Sequence, residues 1–406
     1  MPAPGYPGAG GAAPRLALLV LQPTPFCNID CSYCYLADRG SPARMSLDTL
    51  DRVCQRVFES PLLGRWLDVA WHAGEPLVVP VSWYDEAVRR MAERRPAGLD
   101  LRHSFQTNGL LVDEAWTRFF ARTGATVGLS VDGPADLHDA NRRTRAGKGT
   151  HEGAMRAVRR LQGGGVDFHV ITVLTEPALA EPERLFDFYV ENGIRRVGFN
   201  VEEVEGAHAR SSLGGDGAEA RFRRFIRRFF DLVWEAPGLL EVREFEGAVG
   251  SLLSAGPVSN EQNSPLAILS VGHDGAVSSF SPELLGARHP RFDRFAFGDV
   301  ATHALSDIER APLFRDVGSE IRRGVEACER ECRYFRWCGG GAPANKLFET
   351  GRFDSTETMH CRLVHQAVFD EVLAALEART AQHGASGLKR CVQHHPGQGT
   401  TREFEP

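Results

Sequence analysis

The chain is expected to fold as an α/β protein, an open, partial (β/α)6 TIM-like barrel followed by a smaller domain that carries cysteines. Three observations support this. Short apolar runs alternate with helical patterns over residues 15–201, which argues for parallel strands joined by crossover helices. Six such units are too few for the closed eight-fold barrel. Seven of the nine cysteines fall in two dense groups, one directly after the first apolar run and one far downstream.

Residues 1–14 are Pro, Gly and Ala with little to bury, and read as a flexible lead. The barrel strands are expected at Leu16–Leu21, Leu67–His72, Leu101–Thr107, Thr126–Val131, Asp167–Leu174 and Arg196–Val201, each a short apolar or alternating run. The helices between them are expected at Ser46–Glu59, Ser82–Arg94, Asp113–Arg122, Thr150–Gln162 and Glu181–Asn192. Ser46 and Asp113 are suited to cap their helices, and Gly193 to stop the last one. Residues 202–265 form a bridging region. In it Ala218–Trp234 is an amphipathic helix with Phe222, Phe225, Ile226, Phe229 and Phe230 on one face, and 235–265 is irregular. Residues 266–378 make the second domain. It opens with a hairpin, Ala267–Val271 and Ala276–Phe280, turned at Asp274-Gly275. Residues 379–406 read as a polar tail.

Composition narrows the function. The formal net charge of −6 marks no nucleic-acid binder. No apolar run approaches the roughly 18 residues of a membrane span. The cysteine count is odd and no secretory signal is visible, so disulfides are not expected and a reducing cytoplasm is.

Cys27, Cys31 and Cys34 form CxxxCxxC on the loop after the first strand. Three thiolates so spaced can hold three corners of a [4Fe–4S] cluster and leave one iron open for a small molecule. A zinc site would need a fourth ligand nearby. Further motifs follow later strands: His72-Ala73-Gly74-Glu75-Pro76, Gln106-Thr107-Asn108-Gly109, and Ser130-Val131-Asp132-Gly133-Pro134 with Arg142 downstream. Any one of these alone is a turn. Four motifs at successive strand ends point to one site, because parallel barrels build their active sites at that face. The late group is Cys328, Cys332, Cys338 and Cys361. Four thiolates can close a second cluster completely, with a four-cysteine zinc site as the alternative. Cys54 reads as packing and Cys391 has no partner pattern.

With Tyr33 just before the last cysteine of the first group, the chain resembles the radical S-adenosylmethionine (SAM) superfamily. The late cysteines resemble the SPASM, or twitch-like, extension of its peptide-modifying members. The resemblance implies that the first cluster binds and cleaves SAM. It implies that Tyr33, His72, Gly74, Glu75, Asn108, Ser130, Asp132 and Arg142, or its neighbour Arg143, line the SAM site, with Glu75 receiving the SAM ammonium. Full SPASM domains carry seven cysteines. Here Ser278-Ser279-Phe280-Ser281 and Ala342 stand where others are expected, so one auxiliary [4Fe–4S] cluster is implied. The aspartate base of the sulfatase maturases is replaced by Ser281. The segments Leu21–Cys27, Phe280–Gly286 and Cys338–Lys346 resemble the SPASM maturases of the GrrM/OscB type, which form cyclophanes.

That resemblance implies a radical SAM peptide maturase. A 5′-deoxyadenosyl radical would take a Cβ hydrogen from a ribosomally made precursor peptide, and an aryl carbon to Cβ crosslink would form. Glu202, Glu203 and Glu283 are the candidates for the base, and a flavodoxin or ferredoxin is the implied electron donor. Thioether formation, formylglycine formation and epimerisation use the same scaffold. A non-enzymatic iron–sulfur carrier or sensor would not need the SAM-contact motifs.

Overall fold

Six consecutive apolar residues, Leu16–Leu21, make strand β1, with all but Leu18 buried. Such a run suits a strand covered on both faces. In this computed structural model residues 16–254 and 258–383 are described; the expected flexible lead and Cys391 lie outside them. Strands β2 (Leu63–Trp71), β3 (Asp100–Thr107), β4 (Thr126–Ser130), β5 (Phe168–Leu174) and β6 (Arg196–Val201) follow β1 in spatial order, every pair parallel.

The crossovers are α1 (Leu47–Phe58), α2 (Val81–Arg94), α3 (Glu114–Thr123), the short α4 (Ala135–Asn141), α5 (His151–Gly163) and α6 (Pro182–Glu191). Ser46 caps α1 through Thr49 N, and Asp113 caps α3 through Trp116 N. Gly193 follows α6 at a φ of 64°. The expected elements are present within a few residues. Only α4 has no counterpart in the pattern, because two turns after a proline are too short to show periodicity.

After β6 comes α7 (Ala218–Glu235), with Phe222, Phe225, Ile226, Phe229 and Phe230 all buried as its stripe requires. The expectation that 235–265 is irregular fails. A short strand β7 (Glu241–Val242) adds to β6, and α8 (Arg243–Leu253) follows. Gly247 and Gly250 lower the local helix propensity there. Packing of Phe245, Ala248 and Val249 into the core outweighs it.

The hairpin forms from β8 (Ile268–Val271) and β9 (Ala276–Ser279), with Gly275 at a φ of 91° in the turn. Its first strand does more than pair with the second. Strand β8 lies parallel to β1, Leu18 opposite Ile268 through Leu21 opposite Val271. A small ribbon of β10 (Arg288–His289) and β11 (Asp293–Arg294) follows, and β12 (Gly298–Asp299) closes on β9. One ten-stranded sheet therefore runs β12-β9-β8-β1-β2-β3-β4-β5-β6-β7. The boundary expected at 266 is crossed by backbone hydrogen bonds.

The remainder is helical: α9 (Leu305–Arg310), α10 (Pro312–Glu331), α11 (Phe335–Cys338), α12 (Pro343–Thr350), and a π-helical turn, Cys361–Ala367, leading into α13 (Val368–His383). The tail was expected from 379, but residues 379–383 still belong to α13, and the rest of that expectation lies outside the described residues. Arg379 is still helical, pairs with Asp231 of α7 at 2.5 Å, and stacks over Phe230 and Trp234. No helix among the described residues is long and apolar enough to cross a membrane.

The shared sheet has a testable consequence. Leu269 is fully buried in β8 between β1 and β9. Leu269→Ala should cost about 2–5 kcal/mol. Hydrogen exchange should then speed up in β1 as well as in the hairpin; a loss of protection confined to 268–279 would contradict the shared sheet.

Candidate active site

The C-terminal ends of β1 to β6 carry the site. The loop after β1 holds the first three cysteines and is seated on the turn after β2. Glu75 N donates to Phe26 O at 2.8 Å. Ala73 and Gly74 take φ values of 70° and 64° to bring this about. A Cβ on Gly74 would stand 2.5 Å from Thr24 O and 2.7 Å from Phe26 O, so only glycine allows the two backbones to meet. From the other side, residues at and after the end of α4 hold the loop: Asp30 N donates to Arg143 O at 2.7 Å, Ser32 N to Asn141 O at 3.0 Å, and Arg145 Nε to Cys27 O at 2.8 Å.

Two buried carboxylates tie these loops together. Glu75 accepts from Leu77 N at 3.0 Å, from Thr107 Oγ1 at 2.6 Å and from Asn108 N at 2.8 Å. It is 1 % exposed. Burial raises its pKa, against those three hydrogen bonds. The carboxylate thus joins the turn after β2 to the turn after β3, and its roughly four lone-pair sites leave room for one further donor.

Asp132, after β4, accepts from Arg142 at 2.9 and 3.1 Å, from Val173 N at 3.0 Å, and from the Tyr33 hydroxyl. The Arg142 guanidinium lies 5.3 Å over the Tyr33 ring and 4.0 Å from Cys31 Sγ. Tyr33, Asp132 and Arg142 were expected among the SAM contacts; here they form one buried brace under the cysteine loop. Asn108 reaches the same loop, with its amide 2.7 Å from Asn28 Oδ1 and 3.9 Å from Cys27 Sγ. Ser130 accepts from Gln106 Nε2 at 3.1 Å at the end of β4. His72 Nε2 lies 3.3 Å from the Tyr35 hydroxyl, and burial pushes its pKa down to about 4, so it is neutral near pH 7.

The donor sets fit clusters. Burial, then the nearby charges of Glu75 and the other two thiols, pushes Cys27 up to about 12. Burial pushes Cys31 up to about 11, with Arg142 acting against it. Dry thiols so placed become thiolates once iron supplies positive charge. Cys328, Cys332, Cys338 and Cys361 are near enough to perturb one another. Among the described residues, no group of three or more His, Cys, Asp or Glu converges as a single metal ion would require.

Between the two cysteine groups lies a set of carboxyls. Glu203 accepts from Asn345 Nδ2 at 2.8 Å and lies 3.6 Å from His360 Nε2, beside Cys361. Glu205 is buried. Burial, then Glu283, Glu203 and Glu349, pushes it well above the carboxylate range. Burial raises half-buried Glu283 to about 7, with Glu203 adding to it. Tyr35, next to Cys34, is raised by burial and then by Glu283, Cys34, Glu205 and Glu203. Glu202 is not part of this set. It binds His208 at 3.0 Å, Ser212 N at 2.9 Å and the Ser212 hydroxyl, and so pins its own loop. Glu205, Tyr35, Asn345 and His360 were not expected; the run Glu202-Glu203-Val204-Glu205 at the end of β6 was the available signal for Glu205.

Comparison with known proteins agrees with this geometry. Residues 21–189 match the model of the radical SAM superfamily. The chain is 39 % identical over 367 residues to an uncharacterized protein, sll1766, of Synechocystis, covering 89 % of this chain and 92 % of that one. The chain belongs to the radical SAM superfamily. It is also 24 % identical over 359 residues to the serine-type anaerobic sulfatase-maturating enzyme of Bacteroides thetaiotaomicron, covering 83 % of this chain and 85 % of that one. Its fold is that of the solved anSMEcpe with bound AdoMet and Cp18Cys peptide, with a TM-score of 0.72, 20 % identity, and 92 % and 99 % of the two chains covered. Enzymes of that superfamily use a [4Fe–4S] cluster with SAM; here Cys27, Cys31 and Cys34 would hold it.

The Glu75 geometry predicts a structural cost. Glu75→Ala leaves three buried donors without a partner, at about 1–3 kcal/mol each. The urea midpoint of the anaerobically reconstituted enzyme should fall accordingly. An unchanged midpoint would contradict this structural role.

Proposed function

We propose that this radical SAM enzyme oxidises a side chain of a polypeptide by two electrons, using the carboxyls between its cysteine groups to take the proton. The observation that carries the reading is the set Glu203, Glu205 and Glu283, which adjoins Tyr35 on one side and Asn345 and His360 on the other. When bound, SAM and the two clusters supply the hydrogen-abstracting radical and the electron sink. The chain's own groups must exclude water, hold the peptide and accept a proton. Glu283 suits the last task, because a base works best with a pKa near the operating pH. A flavodoxin or ferredoxin is the proposed electron donor.

Formylglycine formation is the favoured product class, on the likeness to the serine-type sulfatase-maturating enzyme. A Ser Cβ loses hydrogen, then its hydroxyl proton goes to a carboxylate as one electron leaves, and an aldehyde results. The second reading is the aryl carbon to Cβ crosslink. One feature favours it: Ser281, where the aspartate of sulfatase maturases is expected, is fully buried and faces Gln262 at 3.4 Å. In that case the ring loses the proton and the electron after Cβ adds to it.

A co-expressed peptide that carries Ser beside an aromatic residue, its aromatic rings deuterated, tests both. Two hydrogens' mass lost with capture by a hydrazide indicates the aldehyde. The loss of one hydrogen and one ring deuterium, without capture, indicates the crosslink. Glu283→Gln should cut product about 10²–10⁴-fold while 5′-deoxyadenosine is still released. In the parent enzyme, product per 5′-deoxyadenosine should rise as the pH passes about 7, since only the deprotonated carboxylate accepts. A Gln variant with undiminished product would exclude Glu283 as the base.

A further inference from the structure

Lys346 is unusual in this chain. Only three of the 47 basic residues are lysines, and this one is 4 % exposed. A buried ammonium is costly unless an anion faces it. Among the described residues no carboxylate pairs with Lys346; its Nζ lies 3.4 Å from Cys328 Sγ. The surroundings are shaped for that contact. Cys338 is followed by Gly339, Gly340 and Gly341, all at positive φ, which turn the chain into α12 and aim Lys346 back at α10. On α10, Gly324 lies one turn before Cys328. A Cβ there would stand 3.2 Å from Lys346 Nζ and 2.4 Å from Phe353 O, so the space beside the ammonium depends on glycine.

The first cysteine group differs in this respect. Arg142 approaches Cys31 Sγ at 4.0 Å, but its charge is neutralised by the bidentate bond to Asp132. One group has a neutral ion pair beside it, the other an uncompensated cation.

We propose that Lys346 poises the group Cys328, Cys332, Cys338 and Cys361 to accept electrons, by holding an unpaired positive charge against Cys328. A cluster gains one negative charge on reduction. A fixed cation close to its sulfur stabilises that state and raises the reduction potential. The charge difference between the two groups then directs the electron released on substrate oxidation toward the auxiliary site and away from the SAM site. This rests on the assignment of those four cysteines to the auxiliary cluster, and not on which peptide is modified.

The test uses the full chain with Cys27, Cys31 and Cys34 all changed to Ala, so that iron is held by the late cysteines alone. About four irons per chain checks the cysteine assignment separately. Potentiometric titration followed by electron paramagnetic resonance then reads the single cluster, with no peptide present. Lys346→Met should shift the midpoint to more negative potential, and Lys346→Arg, which keeps the charge, should stay nearer the parent. Should the Met variant lose its iron, Lys346→Gln carries the same comparison. A charge-removing variant with full iron that titrates at the parental potential would overturn the proposal, as would an Arg variant that falls as far as the Met one.

Discussion

The site depends on a loop of little regular structure, residues 22–35, being held still enough for three thiolates to face one point. The buried brace of Asp132, Arg142 and Tyr33 does this from below, and Glu75 from the side. A buried ion pair adds little net stability over an apolar contact, but breaking one partner is expensive. That asymmetry suits a loop that must keep one geometry when its cluster is absent as well as when it is bound. Side chains named by the superfamily's motifs thus also hold the loop. Gly74 permits the close approach, Glu75 joins two turns, and Asp132 neutralises the cation beneath Cys31.

Much of the fold was legible in the sequence, because the barrel obeys local rules. Strands such as Leu16–Leu21 and Arg196–Val201, and the caps Ser46 and Asp113, follow from apolar runs and side-chain chemistry alone. The pairing of β8 with β1 was not legible. Its partners are far apart in the chain, and no pattern within either strand names the other. Helix α8 was hidden by two glycines whose cost is met by tertiary packing.

The site divides along the same line. The cysteine groups were legible because ligand spacing is written into the sequence. The hydrogen bonds that Tyr33, Glu75, Asp132 and Arg142 make within the protein were not, since a motif says which residues gather at a strand end but not which of them face each other. Glu205, Tyr35 and Lys346 are set by contacts between the barrel and the late helices. Glu203 and Glu283 were expected by their position near the barrel mouth and do lie in the carboxyl set. Glu202, named on the same ground, turns away to Ser212 and His208.

A two-stage division of labour emerges. Beside the first cysteine group Arg142 is neutralised by Asp132, the carboxyls between the groups are raised in pKa by burial, and Lys346 beside the second group pairs with no carboxylate among the described residues. In the reading proposed above, proton and electron have separate destinations within one scaffold. All of this presupposes the brace. Asp132→Asn, which removes its negative charge with little change of shape, tests it most directly through the iron content of the anaerobically reconstituted chain. The account predicts that iron falls from about eight to about four per chain, the late cysteines keeping theirs. A variant that retains all its iron and cleaves SAM at the parental rate would contradict it.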